Sequence, residues 1–150
     1  MTQLKEGDKA PEFKALDQEG KEISLKAFKG KRLVLYFYPK DNTPGCTAEA
    51  CELRDNYTQL MKMGYEVVGV SADNEVSHKK FIKKYELPFR LIADVDKEII
   101  KAYGAWGEKN MYGKKYEGIL RTTFLLDENG VISKIFRKVD TKNHTKQILG

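Results

Sequence analysis

The chain is poor in the features that would mark it for a membrane, a metal or a disulfide framework. Its longest uninterrupted apolar run, Leu33 to Tyr38, is six residues, far short of the roughly 20 that cross a bilayer as a helix, so no membrane span is expected. The segment Met1 to Lys9 has no apolar stretch behind a basic one and lacks the build of a secretory signal; a cytoplasmic location is expected. Cysteine occurs only at Cys46 and Cys51, and histidine only at His78 and His144. A bridge closing so short a loop would restrict little of the unfolded chain, and two cysteines five apart with two distant histidines match no usual zinc spacing. The cysteine pair is left as a candidate for chemistry, with no metal expected. Charge of one sign is not concentrated either. The 27 Lys and Arg against 22 Asp and Glu leave +5, but the lysines are interleaved with acids, whereas a nucleic-acid footprint gathers its charge on one face. No nucleic-acid partner is expected.

What the chain does have is core material: 41% hydrophobic residues, with eight Tyr and seven Phe, in a length of 150. No repeat and no linker divides it, so residues 1–150 are expected to form a single domain of ordinary size. Phe13–Leu16 and Glu22–Leu25, around Gln18-Glu-Gly20, read as a small hairpin. Arg32–Tyr38 reads as a central strand buried on both faces. Cys46–Met63 can run as one helix with Leu53, Tyr57, Leu60 and Met61 on one face and Gly64 to end it. Tyr65–Ser71 is again a buried strand. Asn74–Tyr85 predicts a helix with Val76, Phe81 and Ile82 on one side, Phe89–Ala93 a short strand, and Asp96 a cap for a helix running to Tyr103. Leu120–Leu126 and Val131–Arg137 predict an antiparallel hairpin turning at Asn129-Gly130, with a C-terminal helix from about Asn143. The pattern predicts an α/β protein with a thioredoxin-like fold carrying an N-terminal hairpin extension.

In that fold the strand, loop and helix around Pro39-Lys-Asp-Asn-Thr-Pro-Gly-Cys46 put Cys46 where unpaired N–H groups and the positive end of a helix dipole converge. Both favour the thiolate, the nucleophilic form of cysteine. Thr43 offers a hydroxyl beside the sulfur, and Pro39, without an N–H, would shield it from bulk water. The plain alternative is a turn followed by a small buried hydrophobe.

The spacing P-x-x-x-T-x-x-C, as Pro39, Thr43 and Cys46, resembles the peroxiredoxin active-site pattern, and Thr-Pro-Gly-Cys-Thr-Ala-Glu-Ala-Cys (43–51) resembles the peroxiredoxin Q, or bacterioferritin comigratory protein, branch. The similarity extends through Leu53-Arg-Asp55, Val68-Gly-Val-Ser71, Tyr103-Gly-Ala-Trp-Gly107, Met111-Tyr-Gly-Lys114 and Gly118-Ile-Leu-Arg-Thr-Thr-Phe124, nearly the whole chain. The resemblance implies a thiol peroxidase of the atypical two-cysteine type. Cys46 would be the peroxidatic cysteine, oxidised to a sulfenic acid, and Cys51 the resolving cysteine. Arg121 would stabilise the thiolate and polarise the peroxide, with Glu49 orienting it. No cofactor is implied; the partners are a peroxide and a thioredoxin or glutaredoxin-like reductant, and a monomer is expected.

Outside that pattern, an arginine at a strand end is ordinarily a solvated charge, and Glu49 would suit a helix N-terminus without any catalytic duty. Trp106 and Tyr112 read as packing or pocket wall, and His78 and His144, lacking a partner pattern, as surface residues. Two other functions compete. A dithiol exchanger would want C-x-x-C, which is missing; a redox-responsive binding module would want a marked partner surface, which the sequence does not show.

Overall fold

In a computed structural model, residues 3–150 are described; Met1 and Thr2, the start of the segment read for a leader, lie outside the described residues. The sheet at the centre is built outward from β3 (Arg32–Phe37). Leu33 to Phe37 are at most 1% exposed, and consecutive side chains point to opposite faces. Leu33, Leu35 and Phe37 therefore meet one core, with Phe124, Ile100 and Tyr103, while Val34 and Tyr36 meet another, with Cys46, Leu53 and Phe81. β4 (Tyr65–Ser71) and β5 (Arg90–Ala93) continue the sheet in parallel on one side; β8 (Thr122–Leu126) and β9 (Ile132–Phe136) continue it antiparallel on the other, giving the order β5-β4-β3-β8-β9. This is the expected thioredoxin-like arrangement, and β1 (Lys14–Leu16) with β2 (Glu22–Ser24) forms the expected N-terminal hairpin. Among the described residues no helix is long and apolar enough to cross a membrane.

The helices depart from expectation in instructive ways. The helix predicted over Cys46–Met63 is two: α1 (Pro44–Asp55) and α2 (Tyr57–Lys62). At Asn56 the side-chain Nδ2 donates to the Glu52 carbonyl at 2.9 Å, occupying the acceptor that the Asn56 backbone would use in a continuing helix. Met61, expected on the buried face, is 51% exposed. α3 (Glu75–Tyr85) starts where Asn74 caps the Ser77 N–H at 2.9 Å. Its buried side carries His78 and Phe81, and Val76 lies outside it. α4 (Glu98–Ala102) is not capped by Asp96: Asp94 accepts from the Ile100 N–H at 2.8 Å, two residues earlier in the chain than expected.

The sequence reading did not contain β6 (Trp106–Met111) and β7 (Lys114–Ile119), a hairpin closed by Tyr112 and Gly113, both at positive φ. Tyr112, read as packing or pocket wall, sits at its tip fully exposed. α5 (His144–Leu149) closes the chain and packs against α1.

Candidate active site

The N-terminus of α1 stands at the end of β3, and Cys46 is its third residue, 2% exposed. Pro44 has no N–H, and Thr47 N–H is already bonded to the Thr43 carbonyl at 2.8 Å. The N–H groups of Gly45 and Cys46 are thus the free donors of the first turn, and the positive end of the helix dipole falls on the sulfur. Pro39, just past β3, is half-buried, as is Thr43 in the N-cap position. The Thr43 hydroxyl donates to the Lys40 carbonyl at 2.9 Å. It closes the loop that feeds α1.

Arg121, the residue before β8, reaches this point from 75 positions further along. Its Nη2 donates to Cys46 Sγ at 3.3 Å and its Nη1 to Glu49 Oε1 at 2.6 Å. Glu49, one turn along α1 from the cysteine, is wholly buried. Burial pushes its carboxyl up to about 7 against the opposing pull of the Arg121 charge. Burial also opposes the Arg121 charge, but the Glu49 and Cys46 anions more than offset it and hold the guanidinium above its usual range. One cation therefore faces two groups that can each be an anion.

Residues 6–135 match the AhpC/TSA family. The putative peroxiredoxin bcp of Coxiella burnetii is 50% identical over 144 residues, covering 96% of this chain and 95% of that one. The structure of a cysteine-to-serine variant of peroxiredoxin Q from Xylella fastidiosa superposes with a TM-score of 0.92 at 32% identity, covering 99% and 95% of the two chains. That of the Xanthomonas campestris bacterioferritin comigratory protein, described for its alkyl peroxide reduction activity, gives 0.85 at 38% identity over 91% and 87%. The chain belongs to the AhpC/TSA family, as a peroxiredoxin. Peroxiredoxins are thiol-dependent peroxidases.

The loop before Cys46 in this peroxiredoxin is pinned by a cluster that sequence reasoning missed. Asp41, 7% exposed, accepts from Tyr38 Oη at 2.6 Å and from Ser77 Oγ at 2.7 Å, and its backbone N–H donates to Asp73 Oδ2 at 2.8 Å. His78, expected at the surface, is fully buried, with Nδ1 2.7 Å from Asp41 Oδ2 and Nε2 2.8 Å from the Ile92 carbonyl. The carbonyl can only accept, so Nε2 carries a hydrogen; Nδ1 and the carboxylate then need a second proton between them to be a hydrogen bond at all. Asp41, Asp73 and His78 are the one set of metal-ligating side chains that converge among the described residues, and the oxygens and nitrogens facing one another are engaged in these bonds.

The second histidine expected at the surface, His144, is also fully buried. Its Nδ1 lies 2.8 Å from Gln147 Oε1 and its Nε2 2.8 Å from Thr123 Oγ1, and burial lowers its tendency to protonate. Both histidines are buried because α3 and α5 pack against the sheet and α1. Asp41 lies 37 positions from His78 and Thr123 21 from His144, so no local pattern announces these partners. Lys109 on β6 is a further cation of the neighbourhood, its charge opposed first by burial and then by Arg121.

Cys51 is half-buried and, like the buried Cys46, a free thiol. Both lie in the unbroken α1, where five residues separate the Cα atoms by about 8.6 Å, beyond the 4.4–6.8 Å a disulfide spans. The polar segment Glu52–Asp55 is tied down: Glu52 Oε1 accepts from the Thr145 N–H and hydroxyl, each at 2.8 Å, and Arg54 Nη1 donates to the Tyr85 carbonyl at 2.7 Å.

Proposed function

We propose that this peroxiredoxin reduces hydrogen peroxide and organic hydroperoxides at Cys46. The thiolate sulfur attacks the hydrogen-bearing oxygen of ROOH; the S–O bond forms as the O–O bond breaks, and the departing RO⁻ takes a proton to leave as water or alcohol, with Cys46 as sulfenic acid. The observation that carries this reading is the single guanidinium shared between Cys46 Sγ and Glu49. Arg121 stabilises the thiolate and the charge developing on the departing oxygen, and the free Gly45 and Cys46 N–H groups add fixed donors. Glu49 positions Arg121, and Thr43 and Pro39 shape the loop that holds the sulfur.

Cys51 then resolves the sulfenic acid: its sulfur bonds to the Cys46 sulfur and water leaves. The separation along α1 requires that the helix unwind first, breaking the Glu52–Thr145 and Arg54–Tyr85 ties. The disulfide is returned to two thiols by a dithiol reductant of the thioredoxin or glutaredoxin kind, and the chain acts as a monomer within the cytoplasm.

Cys46→Ser tests the assignment, because serine is nearly isosteric but scarcely ionised at neutral pH. The expected result in stopped-flow peroxide reduction is complete loss with the fold retained. Activity within a few fold of the parent would overturn the reading, and insulin-type disulfide reduction by the same protein would point to the exchanger instead.

A further inference from the structure

Arg121 engages only one oxygen of Glu49. The other, Oε2, is buried without a hydrogen-bond partner, and His144 Nε2 lies 3.8 Å from it. The state of that nitrogen is fixed from the far side of the ring. Gln147 Oε1 accepts from the Asp140 N–H at 2.9 Å while its Nε2 donates to the Lys138 carbonyl at 3.1 Å, so the amide cannot be turned over without setting two like groups against each other. Gln147 therefore presents oxygen to His144 Nδ1, and Nδ1 must carry the hydrogen. In the neutral ring Nε2 is then a lone pair, accepting the Thr123 hydroxyl at 2.8 Å.

We propose that His144 is a positioning residue of this peroxidase: by setting a hydrogen-free, electron-rich nitrogen, whose lone pair Thr123 already occupies, opposite the free oxygen of Glu49, it disfavours the Glu49 carboxylate and leaves the Arg121 charge to the Cys46 thiolate. This rests on the reading of Cys46 given above. With Glu49 neutral, thiolate and guanidinium balance; with Glu49 ionised, two anions compete for one cation in a buried site. The groups facing Glu49 are Cys46 and Glu52 from α1, Arg121 from the start of β8, His144 from α5 and the Tyr36 hydroxyl from β3; those facing His144 are Arg121, Asp140 and Gln147. Of these, His144 alone presents an acceptor nitrogen to Oε2. The elevated carboxyl of Glu49 agrees with this arrangement, burial being its main cause.

The test is the pH profile of single-turnover oxidation of Cys46 by hydrogen peroxide in the full chain. The rate of the parent falls as Glu49 ionises near neutrality. His144→Phe keeps a ring and the burial but removes the hydrogen-free nitrogen and releases the Thr123 hydroxyl, so the fall moves to lower pH; a displacement of about one unit makes the variant about fivefold slower at pH 7. In a Glu49→Gln background the fall is absent, and adding His144→Phe changes the rate by less than about twofold. An unmoved profile, or an equal loss with Gln at position 49, overturns the inference. Should His144→Phe not fold, ¹⁵N-histidine spectra of the parent decide: an Nδ1–H tautomer whose Nε2 resonance moves as Glu49 titrates supports it, and an Nε2–H tautomer or an unmoved resonance overturns it. If Cys46→Ser keeps its activity the peroxidase reading fails; if Cys46 is essential and the profile does not move, only the role of His144 fails.

Discussion

On the loop side of Cys46 a buried carboxylate, Asp41, meets a buried histidine, His78, and both oxygens are matched: Oδ1 by Tyr38, Oδ2 by Ser77 and His78. On the helix side Glu49 and His144 repeat the same pairing, but the 3.8 Å between them is too wide for a hydrogen bond and Oε2 is left unmatched. A matched cluster holds its geometry, whereas an unmatched carboxyl is free to change its protonation state at modest pH. The loop that aims the sulfur is thus fixed, and the charge that reaches the sulfur is adjustable.

The strongest way to break this comparison is to remove the cation that ties the helix side to the sulfur. Arg121→Gln deletes the donor to Cys46 and, among the described residues, the one hydrogen bond that the Glu49 carboxyl accepts. The expected loss in the rate of peroxide attack is about 10²–10³-fold, the usual cost of one preorganised transition-state donor. The thiolate fraction read by ultraviolet absorbance at neutral pH should fall with it. A thiolate titration that does not move would mean that the sulfur does not depend on Arg121.

Next in size is the loop side. Asp41→Ala strands the hydroxyls of Tyr38 and Ser77 and one face of His78 in a buried space, which should cost about 3 kcal/mol of stability, measured from denaturant midpoints. A loss under about 0.5 kcal/mol would show that the cluster holds nothing. Glu49→Gln should behave in the opposite sense with pH. The folded carboxyl at about 7, against the ordinary 4.5, means that the native state holds a proton which the unfolded chain releases. The contribution of Glu49 to stability is therefore fully present below pH 4.5 and is lost as pH rises toward 7, with a slope of at most about 1.4 kcal/mol per unit. The Gln variant should lack that slope, and an unchanged slope would assign it to other groups.

The strands of this fold were readable because their signals are local. Leu33–Tyr38 is a continuous apolar run and Tyr65–Ser71 is apolar but for Glu66, Gly69 and Ser71, the pattern of a strand buried on both faces. The Thr-Pro-Gly-Cys segment placed Cys46 at a helix start for the same reason: loop residues and an N-terminal proline read the same way in any context. The hairpin of β6 and β7 carried no such signal, since all its residues but Ile119 are exposed or half-buried and neither strand alternates. The two histidines were misjudged because burial of a polar ring depends on partners contributed by other elements: Asp41 for His78 and Thr123 for His144. The break at Asn56 turned on one side chain competing for one carbonyl, a choice that helix propensity does not resolve.

Gly45 offers the finest probe of how tightly the helix side is set. The helix expected from Cys46 begins at Pro44, so Gly45 lies inside α1, and a Cβ at this position would stand 3.1 Å from Arg121 Nη2 and 3.9 Å from its Cζ. Nη2 is the nitrogen that donates to Cys46. Gly45→Ala therefore pulls stability and rate in opposite directions. Alanine restricts the unfolded chain and favours the helix, a gain of about 0.4–1 kcal/mol, while the guanidinium must give way by a few tenths of an ångström. A displacement that small stretches the bond to sulfur without breaking it, so the rate of peroxide attack should fall by only about three- to tenfold, well short of Arg121→Gln. Thermal unfolding and single-turnover oxidation measured on the same protein separate the two effects. An unchanged rate with raised stability would show slack in the guanidinium, and with it that the helix side is no more exactingly placed than an ordinary surface ion pair.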